Sequence, residues 1–377
     1  MTKRTRPDDF SARRWTDEKK PDERELGFRS FAEVALRRKM NDEGEFFINF
    51  FERCNLQCGF CYQKHDDWTG IDGILGKVHS LLKQVDRLGS QYLGYQVNMM
   101  GGELFMDEVP DEVFEKYFEF VIKVSEGIRA RGKYAHFHFV TNLIFSKTER
   151  VTNLLEQLKR HGHEVPICVS YDFSGRFNKA TLEVFKRNLE TFFPSIKMIS
   201  TVLTKPNVEI MLGKRSEESA TIDYLKSLYN RGLYCYFDYF SPQHNAESYS
   251  PSDQELFEAF SWLIEHFPKS GPVQDMFDLR PQKMSCRADQ IVQPDGTVGR
   301  CRILVDKRTL GDFGGTPYNF DNGNMQGRFV ENMGCLQCEY FDNCGLGCFL
   351  LHDYDKRPKM DTCLFRKLYQ KIDGMSV

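Results

Sequence analysis

Between residues 45 and 240, short apolar runs alternate with longer amphipathic ones, and that alternation leaves the chain few architectures. The apolar runs are 45–52 "EFFINFFE", 94–100 "GYQVNMM", 135–141 "AHFHFVT", 165–171 "VPICVSY", 196–203 "IKMISTVL" and 233–240 "LYCYFDYF". Each is short, rich in β-branched or aromatic residues, and reads as a strand. Helical spacing marks 110–130, 148–161, 181–193 and 219–231, several of which open with Pro, Thr or Ser and carry acid in the first turn. Six such alternations predict an α/β fold with a parallel sheet and right-handed crossovers. Sheets of this kind present ligands at the carboxyl ends of their strands.

Both flanks differ in texture. Residues 1–30 are charge-dense and poor in aliphatics, so 1–40 is expected to be a charged N-terminal arm. Its "KRTR" at 3–6 and "RRW" at 13–15 read as solvated rather than phosphate-binding. A further helical stretch at 253–267 leads out of the scaffold. After Pro281 the sequence becomes short runs rich in Gly and Cys, which divides the chain into a barrel-like domain at 41–270 and a C-terminal module at 271–377. The start has no apolar signal region, and no run is long enough to span a bilayer. A cytoplasmic, membrane-free protein is expected, and a net charge of −3 argues against a general nucleic-acid binder.

In a reducing compartment the chain's 12 cysteines read as metal ligands before disulfides. Cys54, Cys58 and Cys61 follow the first strand as C-x3-C-x2-C. Thiolates suit zinc or iron–sulfur clusters, yet a tetrahedral site needs four ligands, and His65 is the one close candidate for the fourth. A zinc knuckle would use it. An iron–sulfur cube could instead rest on three cysteines and leave one iron for an exogenous ligand. Cys168 and Cys235 stand alone within strands and read as buried core thiols.

This triad, with Phe60 just before its last cysteine, resembles the signature of the radical S-adenosylmethionine superfamily. "MMGGEL" at 99–104 strengthens the resemblance, because that family has a Gly-Gly-Glu segment after the second strand. Leu104 departs from the proline usual there. The resemblance implies a partial (β/α)6 TIM-like barrel. It implies that S-adenosylmethionine binds the open iron, with Gly101, Gly102 and Glu103 at its amino group and Phe60 beside it. Asn142, Ser170 and Arg176, at or just beyond the ends of the third and fourth strands, are candidates for the ribose and carboxylate, with strand-end capping as the alternative for each.

Seven further cysteines lie at 286, 301, 335, 338, 344, 348 and 363. The run "CLQCEYFDNCGLGC" gives C-x2-C-x5-C-x3-C, and the whole resembles the SPASM domain that extends some of these enzymes. A zinc ribbon would leave Cys286, Cys301 and Cys363 unexplained. The resemblance implies two auxiliary clusters, one on Cys286, Cys301 and Cys348 and one on Cys335, Cys338, Cys344 and Cys363, hence three 4Fe–4S clusters in all. Seven thiolates cannot fill eight positions, so the first auxiliary cluster takes a non-cysteine ligand, with Asp289 nearby, or keeps an open iron.

The implied activity is reductive cleavage of S-adenosylmethionine to a 5′-deoxyadenosyl radical that abstracts hydrogen from a substrate, with electrons from a donor such as flavodoxin or ferredoxin. Relatives with this extension mostly modify peptides or proteins, by oxidation, crosslinking or maturation. Only 53 residues precede Cys54, which counts against a leader-peptide-binding domain ahead of the barrel. The alternative substrate is non-peptide: an amino-acid metabolite, or an amino-acid-decorated nucleoside in DNA, the one way nucleic acid enters. A non-catalytic electron-transfer protein is the weakest reading. Asp238, among aromatics on the sixth strand, is the candidate catalytic residue, and His136 and His138 share a face of the third strand and are candidates to line the barrel.

Overall fold

The computed structural model describes residues 43–215, 219–240, 247–278, 290–296, 298–299, 334–341, 343–344 and 363–375. The charged arm at 1–40, Cys286, Asp289, Cys301 and Cys348 lie outside these residues. Eight strands form one sheet in the order β6-β5-β4-β3-β2-β1-β7-β8. β1 (Glu43–Asn49), β2 (Gly94–Met100), β3 (Tyr134–Thr141), β4 (Ile167–Ser170), β5 (Ile196–Leu203) and β6 (Tyr234–Tyr239) follow one another across it, each parallel to the next. β7 (Gln290–Val292) adds in parallel beyond β1, and β8 (Val298–Gly299) pairs antiparallel with β7.

All six expected strands form. The first leaves the sheet earlier than its sequence suggests because the backbone of Phe51 and Arg53 turns to accept hydrogen bonds from Gly102 and Glu103. Helices α2 (Asp111–Arg129), α3 (Thr148–Arg160), α4 (Lys179–Phe192), α6 (Ser219–Asn230) and α7 (Asp253–His266) occupy the amphipathic stretches. Capping boxes at Asn178/Thr181 and Ser252/Glu255 start α4 and α7. Helix α1 (Gly76–Leu88) gave no sequence signal, since it opens on glycine and has no side-chain cap; burial of Leu81 and Val85 sustains it. The short α5 (Lys205–Met211) and α8 (Val273–Phe277), and α9 (Leu364–Met375), complete the helices among the described residues.

Strand alternation sorts the side chains into two environments. Phe46, Ile48, Val97, Met99, Phe139, Val169, Ile199 and Phe237 are buried beneath the helices. Phe50, just past β1, packs on Tyr117 and Phe120 of α2 with ring centroids 5.3 and 5.1 Å apart. Each buried aromatic of this kind contributes about 1.5–3 kcal/mol. The opposite face, the lumen of the partial barrel, carries Glu45, Gln96, Asn98, His138, Ser170, Ser200 and Asp238, most of them polar. Of the two lone cysteines, Cys235 lies in the layer between sheet and helices and Cys168 is buried on the lumen side. No helix among the described residues is long and apolar enough to cross a membrane.

Candidate active site

Beyond β1 the chain crosses the carboxyl ends of the strands carrying its first three thiols. Cys58 is buried with Leu56, Phe60 and Phe240, and Cys54, Cys61, Ile144, Phe177, Val202 and Tyr249 close around them. These walls come from the ends of β3 to β6, so the triad sits at the mouth of the barrel. The loop holds itself in place: Cys61 N–H donates to Cys58 O at 2.9 Å, and Cys54 N–H to His65 O at 3.0 Å. It is thus the His65 carbonyl that serves the loop, while its Nδ1 is buried with no hydrogen-bond partner.

Burial pushes the Cys54 thiol up to about 12 and that of Cys58 up to about 11, and raises Cys61 as well. Any metal here must displace protons. Leu56 N–H and Asn142 Nδ2–H approach Cys54 Sγ at 3.4 and 3.7 Å, the kind of donor that steadies cluster sulfur. Among the described residues no three His, Cys, Asp or Glu side chains close around one ion. Three soft thiols in an apolar pocket with N–H donors aimed at one sulfur form a donor set that fits an iron–sulfur cluster.

The Gly-Gly-Glu segment is bound to this loop by backbone. Gly102 N–H donates to Phe51 O at 2.8 Å and Glu103 N–H to Arg53 O at 2.9 Å. A Cβ on Gly102 would stand 1.9 Å from Arg53 O, so the close approach that requires glycine here is to the protein's own chain. Gln63 Nε2 donates to Gly101 O at 2.7 Å. Glu103 is 1% exposed and accepts from Thr141 Oγ1 at 2.6 Å, Asn142 N at 2.6 Å and Phe105 N at 3.0 Å. Burial still pushes its carboxyl up to about 7. Asn142 in turn donates from Nδ2 to Asn55 Oδ1 at 2.9 Å, so the end of β3 braces the cysteine loop. Leu143 follows at φ 59°, a left-handed conformation that costs a non-glycine residue about 1–2 kcal/mol. Asn188 of α4 holds it, donating to Leu143 O and Phe145 O at 2.8 and 2.7 Å.

Past β4, Asp172 accepts from Val202 N at 3.0 Å and Asn207 Nδ2 at 2.9 Å, and pairs with Arg176 at 2.5 Å. Burial opposes the Arg176 charge, but Asp172 and the nearby Cys58 and Cys61 more than offset it. Its guanidinium lies 5.5 Å from the Phe60 ring centroid. Tyr249 meets Phe60 edge-on with ring centroids 6.0 Å apart, and its hydroxyl lies 2.5 Å from where a Cβ on Gly59 would fall. Phe60, Asn142 and Arg176 therefore gather at the triad. Ser170 and Asp238 lie lower, on the lumen faces of β4 and β6.

No protein-family profile matches the chain, and no curated protein is similar in sequence. Among solved structures it is similar to hexahistidine-tagged anSMEcpe with bound AdoMet, at 15% identity and a TM-score of 0.57, over 88% of this chain and 96% of that one. Native anSMEcpe with bound AdoMet gives 15% identity and 0.57, over 88% and 99%. The fold is the partial barrel of the radical S-adenosylmethionine enzymes. The Streptococcus suis protein SuiB is a looser match, at 13% identity and a TM-score of 0.38, over 92% of this chain and 84% of that one.

Beyond the barrel, four of the C-terminal cysteines are described. Burial raises the Cys335 thiol, and Cys344, Cys363 and Cys338 raise it further, so each of those three acts on Cys335. Gly334, in left-handed conformation, precedes the tight turn Cys335–Gln337, and Cys363 opens α9. Tyr340 stacks on Tyr369 at 4.9 Å, and Lys371 of α9 pairs with Glu265 of α7 at 3.4 Å, which ties the module to the barrel. Between them Tyr239 is wedged against Phe260 and Phe365, its buried hydroxyl lacking a partner.

Sequence reading missed Asp172, Gln63, Asn55 and Tyr249. Asp172 ends "VSYD" beside Ser170 and was within reach of a strand-end argument. Tyr249 had no signal at all, because only the fold brings it over Phe60.

Proposed function

We propose that this chain is a radical S-adenosylmethionine enzyme with a SPASM extension, acting on a peptide or protein. The convergence of Cys54, Cys58 and Cys61 at the barrel mouth, bound through backbone to Gly101–Glu103, supports this reading above all other observations. The cysteines would hold the cube, with Asn142 steadying Cys54. Glu103 fixes the end of β3, and Gly101 and Gly102 shape the edge where the methionine end of S-adenosylmethionine would rest. Phe60, buried against Arg176 and Tyr249, would form part of the apolar wall beside the nucleoside, and the Asp172–Arg176 pair supplies a fixed cation near it. The chemistry supplied by the bound groups is one-electron cleavage of the sulfonium, which yields a primary-carbon radical able to take hydrogen from unactivated C–H bonds.

Asp238, facing the lumen, is proposed as the residue that takes a proton from substrate. Cys335, Cys338, Cys344 and Cys363 would carry one auxiliary cluster, and Cys286, Cys301 and Cys348 another. An external flavodoxin- or ferredoxin-like donor would supply electrons in the cytoplasm.

Anaerobic reconstitution tests the proposal. It should load about 12 iron atoms per chain as three four-iron cubes. Replacing Cys54, Cys58 and Cys61 together by Ala should abolish 5′-deoxyadenosine formation under reductant, whereas replacing Cys335 and Cys338 should spare it at least in part. Cleavage that survives the triple replacement removes the assignment.

A further inference from the structure

The start of β5 breaks the strand's own alternation. Ile199, Thr201 and Leu203 are buried under the helices, and Lys197 shares their parity. Pairing with β4 runs Ile167↔Ile196 and then Cys168↔Met198, so Lys197 is an inserted residue with no partner opposite. Bulges re-aim side chains, and this one sends a lysine to the other face. Lys197 Nζ lies 2.9 Å from Nε2 of His138, a lumen residue of β3, two strands away.

His138 is 3% exposed, and burial, with Lys197 and His136 adding to it, pushes its imidazole down to about 4. The neutral ring then has one arrangement: Nε2 accepts from the Lys197 ammonium, and Nδ1–H donates to Asn98 Oδ1 at 3.1 Å. Asn98 Nδ2 donates to Glu45 Oε1 at 2.9 Å, and Gln96 Nε2 donates to Asn98 Oδ1 and Glu45 Oε1, both at 3.1 Å. The chain of donors is directional and ends on an acid. The Lys197 ammonium spends one of its three hydrogens on His138, and forms no ion pair with a carboxylate among the described residues. Its side chain is exposed, and among the described strand residues facing the lumen it is the one lysine or arginine, on the same hydrogen-bonded network as Glu45.

We infer that Lys197 is a specificity-determining residue that binds a carboxylate of the substrate inside the barrel. This rests on the reading of the lumen as the substrate chamber. One ammonium with two further hydrogens to donate balances a monoanion; a phosphate dianion would leave a negative charge over on a network that already ends on Glu45. The carboxylate belongs either to a small amino-acid derivative or to an acidic side chain of a peptide.

Binding to the reconstituted full-length enzyme distinguishes these sources. The small probe is N-acetylglycine, with N-acetylglycinamide as its neutral control. The peptide probe is a doubly capped peptide with one internal Asp, with the Asn version as control. Wild type should prefer each acid to its amide, and Lys197→Met should weaken the acid by about tenfold or more while leaving the amide unchanged. Lys197→Arg should restore most of the preference, which a merely structural lysine would not require. The tighter-binding acid names the source. No preference for acid in wild type, or a preference untouched by Lys197→Met, overturns the inference. S-adenosylmethionine affinity, measured in the same samples, should be equal in all three proteins. Its absence throughout, with the acid preference intact, would remove the radical reading and leave the Lys197 site standing.

Discussion

Replacing Gly102 with alanine should separate the two loops that follow β1 and β2 at the carboxyl end of the sheet. The new Cβ would lie 1.9 Å from Arg53 O, 2.2 Å from Arg53 C and 2.4 Å from Glu52 O, all backbone atoms with no flexible side-chain tip to yield. Relief requires the segments to part, which breaks the hydrogen bonds Gly102 N–Phe51 O and Glu103 N–Arg53 O. Overpacking against rigid backbone together with two lost hydrogen bonds gives a destabilisation of about 3–5 kcal/mol. That is a large part of a typical domain's stability, yet the protein should still fold at low temperature. Because Cys54 follows Arg53 directly, its thiol moves with the displaced loop and iron loading should fall as well. The assay is urea unfolding of the reduced, metal-free chain, followed by iron content after reconstitution. Gly76→Ala is the control: its Cβ meets nothing within 4 Å at the first residue of α1, so it should be neutral or stabilise by up to about 1 kcal/mol. An unchanged midpoint and full iron loading in Gly102→Ala would refute the claim that backbone contact holds this loop.

Three further outcomes are expected. Since burial holds Cys54 up to about 12 and Cys58 up to about 11, iron uptake competes with protons; it should rise as pH is raised from neutral, and a flat pH profile would contradict this. His138 is lowered from 6.5 to about 4 on folding, so the unfolded chain binds more protons between those values and stability should decline as pH falls from 6.5 towards 4. The loss from this group is up to about 3 kcal/mol, and His138→Asn should flatten that part of the stability–pH curve. Tyr239→Phe removes a buried hydroxyl that lacks a partner and should leave the metal-free protein as stable or about 1 kcal/mol more stable, by thermal unfolding; a marked loss would reveal a bond to that hydroxyl.

The parts of the site legible in sequence are those set by neighbours along the chain. Short apolar runs rich in β-branched and aromatic residues marked all six barrel strands, and the cysteines Cys54, Cys58 and Cys61 were legible directly after the first of them. Helix α1 was invisible because no capping residue announces it, and its evidence is the burial of Leu81 and Val85. Glu103 was legible as a residue but not in its posture: its carboxylate is turned onto Thr141 and Asn142, held there by the end of another strand.

By itself the sequence determined the alternation that makes a parallel sheet and the cysteine spacing that equips its first loop, since both are properties of adjacent residues. Tertiary structure decided what those pieces do to one another. Asn142 reaches Cys54 from 88 residues away, and Lys197 meets His138 across 59, through an inserted residue that periodicity alone assigns to the wrong face. Local pattern cannot carry such information, because strand register and bulges are set by packing between strands, and one extra residue reverses where a side chain points.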